Sequence, residues 1–256
     1  MSDFLLFLAV GFLAQLVDGA LGMAYGIVSS TVLLSFGVAP AAASASVHTA
    51  ELFTTAASGT AHLANRNVDW KLFWRLVPLG ILGGVLGTYV LTSISGSVLR
   101  PYVGAYLAVI GVYLLVRSFR KIPSRPVSPA TSMPLAACGG FLDAVGGGGW
   151  GPIVTSGLLG AGGQPRYVIG TVNTAEFLVT LSVSLTFVFA LVTGHWEEAG
   201  DLTTHGLAIL GLIVGGVAAA PFAGVIVRRI PETALLRIVG LLVCGLAITQ
   251  IVGLIR

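Results

Sequence analysis

Four acidic side chains lie within long apolar stretches of this sequence: Asp18, Glu51, Asp143 and Glu176. They form two pairs, because Asp143 follows Asp18 and Glu176 follows Glu51 by the same 125 positions. A charged side chain at the centre of a membrane helix costs about 2.5–3.5 kcal/mol on insertion scales, so four of them need a reason. We therefore expect a polar cavity between two related halves, in which these carboxyls bind or relay protons.

Each acidic pair also has a structural interpretation. Asp18 and Asp143 both stand just before a glycine turn, where an aspartate can accept N–H bonds at a helix start. Glu51 and Glu176 lie inside long apolar segments, where an interhelical hydrogen bond is as compatible with the pattern as a functional role.

Polar side chains accompany the two glutamates at helical spacing. His48 and Asn173 are equivalent positions, three residues before Glu51 and Glu176, so each pair shares one helix face. One His-x-x-Glu pair without further His or Cys nearby is weak support for a metal site, and we predict neither a metal nor a cofactor. A polar lining of a substrate path, or a proton-linked histidine, fits these residues better.

The stretch 142–152 reads Leu-Asp-Ala-Val-Gly-Gly-Gly-Gly-Trp-Gly-Pro. No continuous helix is expected there, because glycine costs about 1 kcal/mol relative to alanine and Pro152 lacks an N–H. Within a membrane such a break is tolerated only where the backbone is buried in protein or lines a cavity. Its N–H groups, with the next helix N-terminus, would form a nest for an anion. Hydroxyls that could add donors are those of Ser46, Thr49, Thr171 and Thr174.

The composition is that of a membrane protein. The 256 residues are 55% hydrophobic and 9% charged, with a mean hydropathy of +0.96, whereas soluble domains carry about 25% charged residues. No Gly-Lys-Ser/Thr follows the glycines, which excludes a phosphate-binding P-loop. Ser156 and Ser182 lack the context of a catalytic triad, and we predict that the protein is not an enzyme. The first twenty residues lack a basic region and carry Asp3, so we expect no cleaved signal peptide.

Ten apolar segments follow one another along the chain. Six are long enough to cross a bilayer, which takes about 20 apolar residues. The other four form two pairs that each flank a glycine-rich break, which predicts re-entrant or broken helices. The segments are 4–17, 22–37, 42–64, 72–93, 98–116, 133–142, 152–162, 166–193, 203–227 and 233–255.

The two halves of the sequence are repeats. Ser-Val-His-Thr-Ala-Glu at 46–51 matches Thr-Val-Asn-Thr-Ala-Glu at 171–176, and the offset grows towards the C-terminus as loop insertions would make it. We assign residues 1–120 to a first repeat, 121–132 to a polar linker and 133–256 to a second repeat.

Charge distribution favours one of two topologies. If each broken pair crosses once, each half has four crossings, the repeats are parallel and eight of the thirteen Lys and Arg lie inside. If each pair returns to its own side, each half has three crossings, the repeats are inverted and eleven lie inside. The positive-inside rule favours the second arrangement, with both termini outside. The predicted fold is all-α, a polytopic membrane protein of two inverted repeats, each with three crossing helices plus one re-entrant or broken helical hairpin.

The chain resembles the sulfite exporter TauE/SafE family of membrane permeases in its motifs at 146–152 and 165–177, with weaker copies at 22–27 and 40–52. The resemblance implies a duplicated helical permease for small anions, often sulfite or organosulfonates, without an ATP-binding domain. The substrate-binding residues that it implies are Gly146, Gly147, Gly148, Gly149, Trp150, Asn173 and Thr174, with Gly22, His48 and Thr49 in the first half. The residues that we predict for proton coupling or a polar cavity, from their burial in repeat-related pairs, are Glu51, Glu176, Asp18 and Asp143.

The first half departs from the family pattern. Leu21, Met23, Ala24 and Tyr25 stand where the second half has three glycines and Trp150, which leaves the first-half share of the site open.

These observations predict a secondary transporter in the bacterial plasma membrane (the inner membrane) that exports sulfite or an organosulfonate by alternating access. An anion channel of the same architecture and a structural membrane protein remain as alternatives. The expected partners are the small anion and the lipid bilayer, not nucleic acid, and the glycine-lined helix faces permit a homodimer.

Overall fold

The computed structural model describes residues 2–119, 126–196, 206–222 and 232–255. Throughout these residues the chain is helical and contains no strand, which confirms the all-α prediction for them. The helices are α1 (Ser2–Leu21), α2 (Tyr25–Ser35), α3 (Pro40–Ala64), α4 (Trp70–Ser93), α5 (Gly96–Arg117), α6 (Pro129–Gly146), α7 (Ser156–Gly160, entered through a π-helical turn Gly151–Thr155), α8 (Pro165–Val192), α9 (Gly206–Ala219, followed by a 3₁₀ turn Ala220–Phe222) and α10 (Glu232–Ile255).

Helix α6 is longer than the sequence indicated. It begins at Pro129, inside the predicted linker, because proline suits the first turn of a helix. It continues through Asp143 to Gly146 and breaks at Gly147, so no continuous helix runs through the stretch 142–152, as expected, although its first five residues are helical. The basic residues at 120–125 and 228–229 and the acidic residues at 197–201 that entered the topology argument lie outside the described residues.

Glycines bring helices of opposite halves into close contact. A Cβ on Gly83 of α4 would overlap the carbonyl oxygen of Ala137 on α6, and a Cβ on Gly215 of α9 would overlap that of Leu8 on α1. Small residues permit this approach of two backbones. Helix α1 therefore packs along α9, and α6 packs along α4. The first helix of each half is thus packed against a helix of the other half.

Helices at equivalent positions in the two halves pack in opposite directions. On α3 and α8, the Ser58 hydroxyl donates to Asn173 Oδ1 at 3.0 Å, whereas Asn67, beyond the end of α3, contacts the earlier residue Gly170. Helices α5 and α10 are also antiparallel. The C-terminal end of α5 meets the start of α10, where the Arg237 guanidinium lies 4.5 Å from the centre of the Phe119 ring.

Three helices in the described part of the chain, α4, α5 and α8, are long and apolar enough to cross a membrane, judged by length and composition. In helix α4, Gly83 and Gly87 face α6, whereas Leu82, Leu86 and Tyr89 are more than half exposed. A face of this kind is suited to lipid. The chain is a multi-pass membrane protein.

Candidate functional site at the two helix breaks

Two breaks in the helical backbone have the same local geometry. The first separates α1 from α2 at Gly22, and the second follows α6 at Gly147. Both glycines are left-handed, with φ of 65° and 64°, a conformation that glycine adopts without the strain a Cβ would bring. Their N–H groups donate back to the carbonyl oxygens of Asp18 and Asp143, at 2.5 and 2.6 Å.

The two aspartates cap the helix that follows each break. Asp18 Oδ1 accepts from the N–H groups of Ala24 at 2.8 Å and Tyr25 at 3.2 Å. Asp143 Oδ1 accepts from the N–H groups of Gly149 at 2.8 Å and Trp150 at 3.0 Å. A buried N–H needs a partner, and a helix N-terminus favours an anion. These amide hydrogens, which the sequence analysis assigned to a bound anion, are thus bonded to the protein's own carboxylates in this conformation.

The breaks lie against each other. A Cβ on Gly26 would meet the Cα of Gly148, and a Cβ on Gly151 would meet the Cα of Met23. The Ser30 hydroxyl donates to the Gly147 carbonyl oxygen. In the same way, the Thr155 hydroxyl donates to the Gly22 carbonyl oxygen at 2.8 Å. Sequence reasoning missed both hydroxyls, although they too are 125 positions apart.

All four acidic residues line one small cavity at this contact. It has room for about one water molecule. Asp18, Glu51, Asp143 and Glu176 reach it from α1, α3, α6 and α8, and each is at most 6% exposed. One carboxyl oxygen, Oε2, of both glutamates is buried without a hydrogen-bond partner. No lysine or arginine lines the cavity among the described residues.

His48 and its equivalent Asn173 differ in their contacts. His48 Nε2 lies 3.2 Å from Asp143 Oδ2, and its Nδ1 lies 2.8 Å from the Ser44 carbonyl oxygen. Because that oxygen can only accept, Nδ1 carries a hydrogen. The Asn173 amide instead donates to the Ile169 carbonyl oxygen at 3.1 Å, and no hydrogen bond to Asp18 is seen.

Comparison with known proteins places the chain in a family. Residues 7–249 match the sulfite exporter TauE/SafE family. The chain belongs to this family. Probable membrane transporter protein YtnM of Bacillus subtilis (strain 168) is 41% identical over 255 residues, which cover 97% of this chain and 81% of that protein. No solved structure matches. Family and relative both indicate a membrane transporter rather than an enzyme.

Several residues implied by the family motif lie at the breaks but do not line the cavity. The fully buried Trp150 donates through Nε1 to the Val172 carbonyl oxygen at 3.3 Å. Thr49 and Thr174 donate to carbonyl oxygens of their own helices, both at 2.7 Å. Gly148 lines the cavity together with the four acidic residues. The implied residues outside it are Gly22, His48, Thr49, Gly146, Gly147, Gly149, Trp150, Asn173 and Thr174.

The other two hydroxyls suggested as anion donors are also engaged within the protein. Ser46 donates to the Ala42 carbonyl oxygen at 2.6 Å, and the Thr171 hydroxyl accepts from the N–H of Asp69 at 2.8 Å. Neither lines the cavity.

Tyr106 of α5 is a site neighbour that the sequence did not reveal. Its ring fills the space beside Gly146, and its hydroxyl lies at Gly149. That hydroxyl is buried without a hydrogen-bond partner. The absence of a side chain at these two glycines makes room for the ring.

Proposed function

We propose that this protein is a secondary transporter that exports a small oxyanion, sulfite or an organosulfonate, across the bacterial plasma membrane. The observation that carries the proposal is the buried contact of two equivalent helix breaks, with carboxyls from four helices around one cavity. Broken helices that meet inside a helical bundle are where secondary transporters bind substrate and coupling ion.

Two inverted repeats, each with three crossings and one broken hairpin, are the architecture we propose. The antiparallel packing of α3 with α8 supports it, because a two-fold axis in the membrane plane reverses the direction of equivalent helices. The same holds for α5 and α10. Since α1 packs on α9 and α6 on α4, each body that rocks during alternating access would contain helices from both halves.

Substrate and coupling ion would use different parts of the site. An anion reaching the breaks competes with Asp18 and Asp143 for the amide hydrogens that these residues now accept. Release of a carboxylate would open the break, which couples binding to movement. Glu51 and Glu176, each with an unpartnered oxygen, are the proposed proton-coupling residues. The membrane potential alone also favours export of an anion from a negative interior.

A channel with the same architecture is the alternative. The small volume between the breaks favours a carrier, because a conducting pore needs a continuous path, and this cavity holds about one water molecule. Flux that saturates and shows counterflow supports the carrier, whereas linear flux without counterflow supports the channel.

The test is transport by the purified protein in liposomes, with sulfite, sulfate, sulfoacetate and taurine as substrates. Glu176→Gln and Asn173→Ala should lower the flux by about tenfold or more, since a hydrogen bond to a charged group contributes about 1.5–3 kcal/mol. Asn65→Ala is the control, because this exposed side chain bonds only within its own helix end. Absence of flux for all four solutes would overturn the proposal, and wild-type flux in both variants would remove these residues from the site.

A further inference from the structure

The geometry points to a metal site between the two halves: His48, Glu51 and Asp143 bind one divalent transition-metal ion. Each offers one ligand atom, and these atoms lie within 4.8 Å of one another. A cation about 2 Å from each ligand atom needs these atoms within about 4 Å of one another, so small side-chain movements would close the site around it. The sequence predicts no metal here, because only His48 and Glu51 lie at helical spacing. The third ligand comes from the other half of the chain.

The orientation of His48 suits a metal ligand. Its Nδ1 hydrogen is directed at the Ser44 carbonyl oxygen, at 2.8 Å. The Ser44 hydroxyl is itself occupied as a donor to the Ala144 carbonyl oxygen, at 2.5 Å. With the hydrogen on Nδ1, Nε2 is the ring atom directed at Asp143 Oδ2, 3.2 Å away, and is the one available as a ligand. Histidines that bind metals commonly donate their other N–H to a carbonyl in this way.

Glu51 provides a second, independent observation. Its residue is 2% exposed, its side chain lines the cavity, and Oε2 has no hydrogen-bond partner. A proton between His48 Nε2 and Asp143 Oδ2, which are 3.2 Å apart, would satisfy those two atoms and leave Glu51 unpaired. A single metal ion would satisfy all three, and Glu176 would then be the carboxyl that remains for proton coupling.

The surroundings also favour a cation. Asp18 and Glu176 line the same cavity, and no lysine or arginine of the described chain does. The C-terminal ends of α1 and α6 point at the breaks and carry partial negative charge, whereas the amides at the following helix starts are already bonded to Asp18 and Asp143. Burying carboxylates without a counter-ion is costly, so a bound cation would lower the free energy of the buried carboxylates.

The donor set identifies the class of ion. One imidazole nitrogen with two or more carboxylate oxygens suits borderline and harder divalent ions such as Zn²⁺ and Mn²⁺, rather than a soft ion that needs thiolates. The equivalent trio in the other half is Asn173, Glu176 and Asp18, in which the amide replaces the imidazole and is bonded elsewhere. We therefore expect one ion per chain, not two.

The experiment is Mn²⁺ binding to the purified full chain, free of any histidine tag, followed by electron paramagnetic resonance at neutral pH. We expect one bound Mn²⁺ per chain, nitrogen coupling from one histidine, and displacement by Zn²⁺, which binds such sites more tightly. His48→Gln and Glu51→Gln should each weaken binding at least as much as loss of an outer-shell partner does, which is about 10–100-fold.

His195→Ala is the matched control, because this histidine contacts Ser93 at 2.8 Å and does not line the cavity. It should leave binding unchanged. Where a variant does not fold, the wild-type spectrum still tests the site, because bound Mn²⁺ without coupling to a histidine nitrogen contradicts it.

No bound Mn²⁺ or Zn²⁺ in the wild type, bound Mn²⁺ without nitrogen coupling, or unchanged binding in folded His48→Gln would overturn the metal site. Binding is measured at equilibrium without substrate, so its failure would leave anion transport standing. Equally, absence of anion flux would leave a bound metal intact.

Discussion

The two helix breaks reach the same backbone geometry with different residues. Around Gly22 the neighbours are Leu21, Met23 and Ala24, whereas the second break has a run of four glycines. Yet both breaks have one left-handed glycine, one aspartate that accepts two amide hydrogens, and one hydroxyl from the opposite half. The conformation thus needs glycine at one position of each break only.

Two of the additional glycines of the second break are explained by a neighbouring side chain and not by the backbone conformation. Tyr106 occupies the space beside Gly146 and Gly149. Gly104 of α5 matches Gly240 of α10, and by this match the residue corresponding to Tyr106 is Leu242, which is 43% exposed. Gly148 has a separate reason, since it lies against the backbone of Gly26 and Ile27.

Among substitutions at equivalent positions of the two breaks, the largest difference in free energy of unfolding is expected between Gly148 and Met23. A Cβ on Gly148 would overlap the backbone of Gly26 and Ile27, so Gly148→Val should destabilise the protein by about 1–3 kcal/mol or more. Met23→Val loses volume in a site that already holds a side chain and should cost less than about 1.5 kcal/mol. Thermal unfolding in detergent measures both. Equal melting temperatures for the two variants would contradict the assignment of Gly148 to the tip contact.

Removing the capping aspartates should have an intermediate effect. Asp18→Ala and Asp143→Ala each remove the acceptor of two amide hydrogens, and loss of an N-cap costs about 0.5–2 kcal/mol. Asp143→Ala should cost more, because it also removes the partner of His48. Thermal unfolding of both variants tests the order. A larger loss for Asp18→Ala would mean that the contact with His48 does not stabilise the second break.

The smallest and most symmetric effect is expected for the two hydroxyls that cross between the halves. Ser30→Ala and Thr155→Val each leave a buried carbonyl without its hydroxyl partner and should cost about 1 kcal/mol. For a chain of this size that shifts the melting temperature by about 2–4 °C. Thr60→Ala is the control, because its exposed hydroxyl bonds within its own helix. Should one of the pair behave like the control, the two crossings would not be equivalent.

Much of the arrangement followed from sequence periodicity. The constant offset of 125 positions relates the breaks and the acidic pairs, and the cost of burying four carboxyls predicts one shared cavity. The same offset relates Ser30 and Thr155, but neither lies next to an acidic residue or a glycine run that would single it out. Patterns of this kind locate residues along helices that tertiary packing then brings together.

What the sequence could not supply depends on contacts between distant segments. The side-chain conformations of Asp18 and Asp143 decide whether the amide hydrogens of a break bind an anion or an aspartate. The different contacts of His48 and Asn173 arise from which neighbour each can reach. Nothing near Tyr106 in the chain signals its contact with the glycines. The extension of α6 to Gly146 likewise reflects packing that overrides the low helix propensity of glycine.

The exchanged packing of the first helices has a consequence for biosynthesis. Helix α1 leaves the ribosome first, but α9, along which it packs, begins only at Gly206. At about 5–20 residues per second, α1 spends on the order of 10–40 s in the membrane before its partner is translated. A truncated product ending before α9 would leave the Gly11 face of α1 uncovered, which makes such fragments natural targets for membrane quality control.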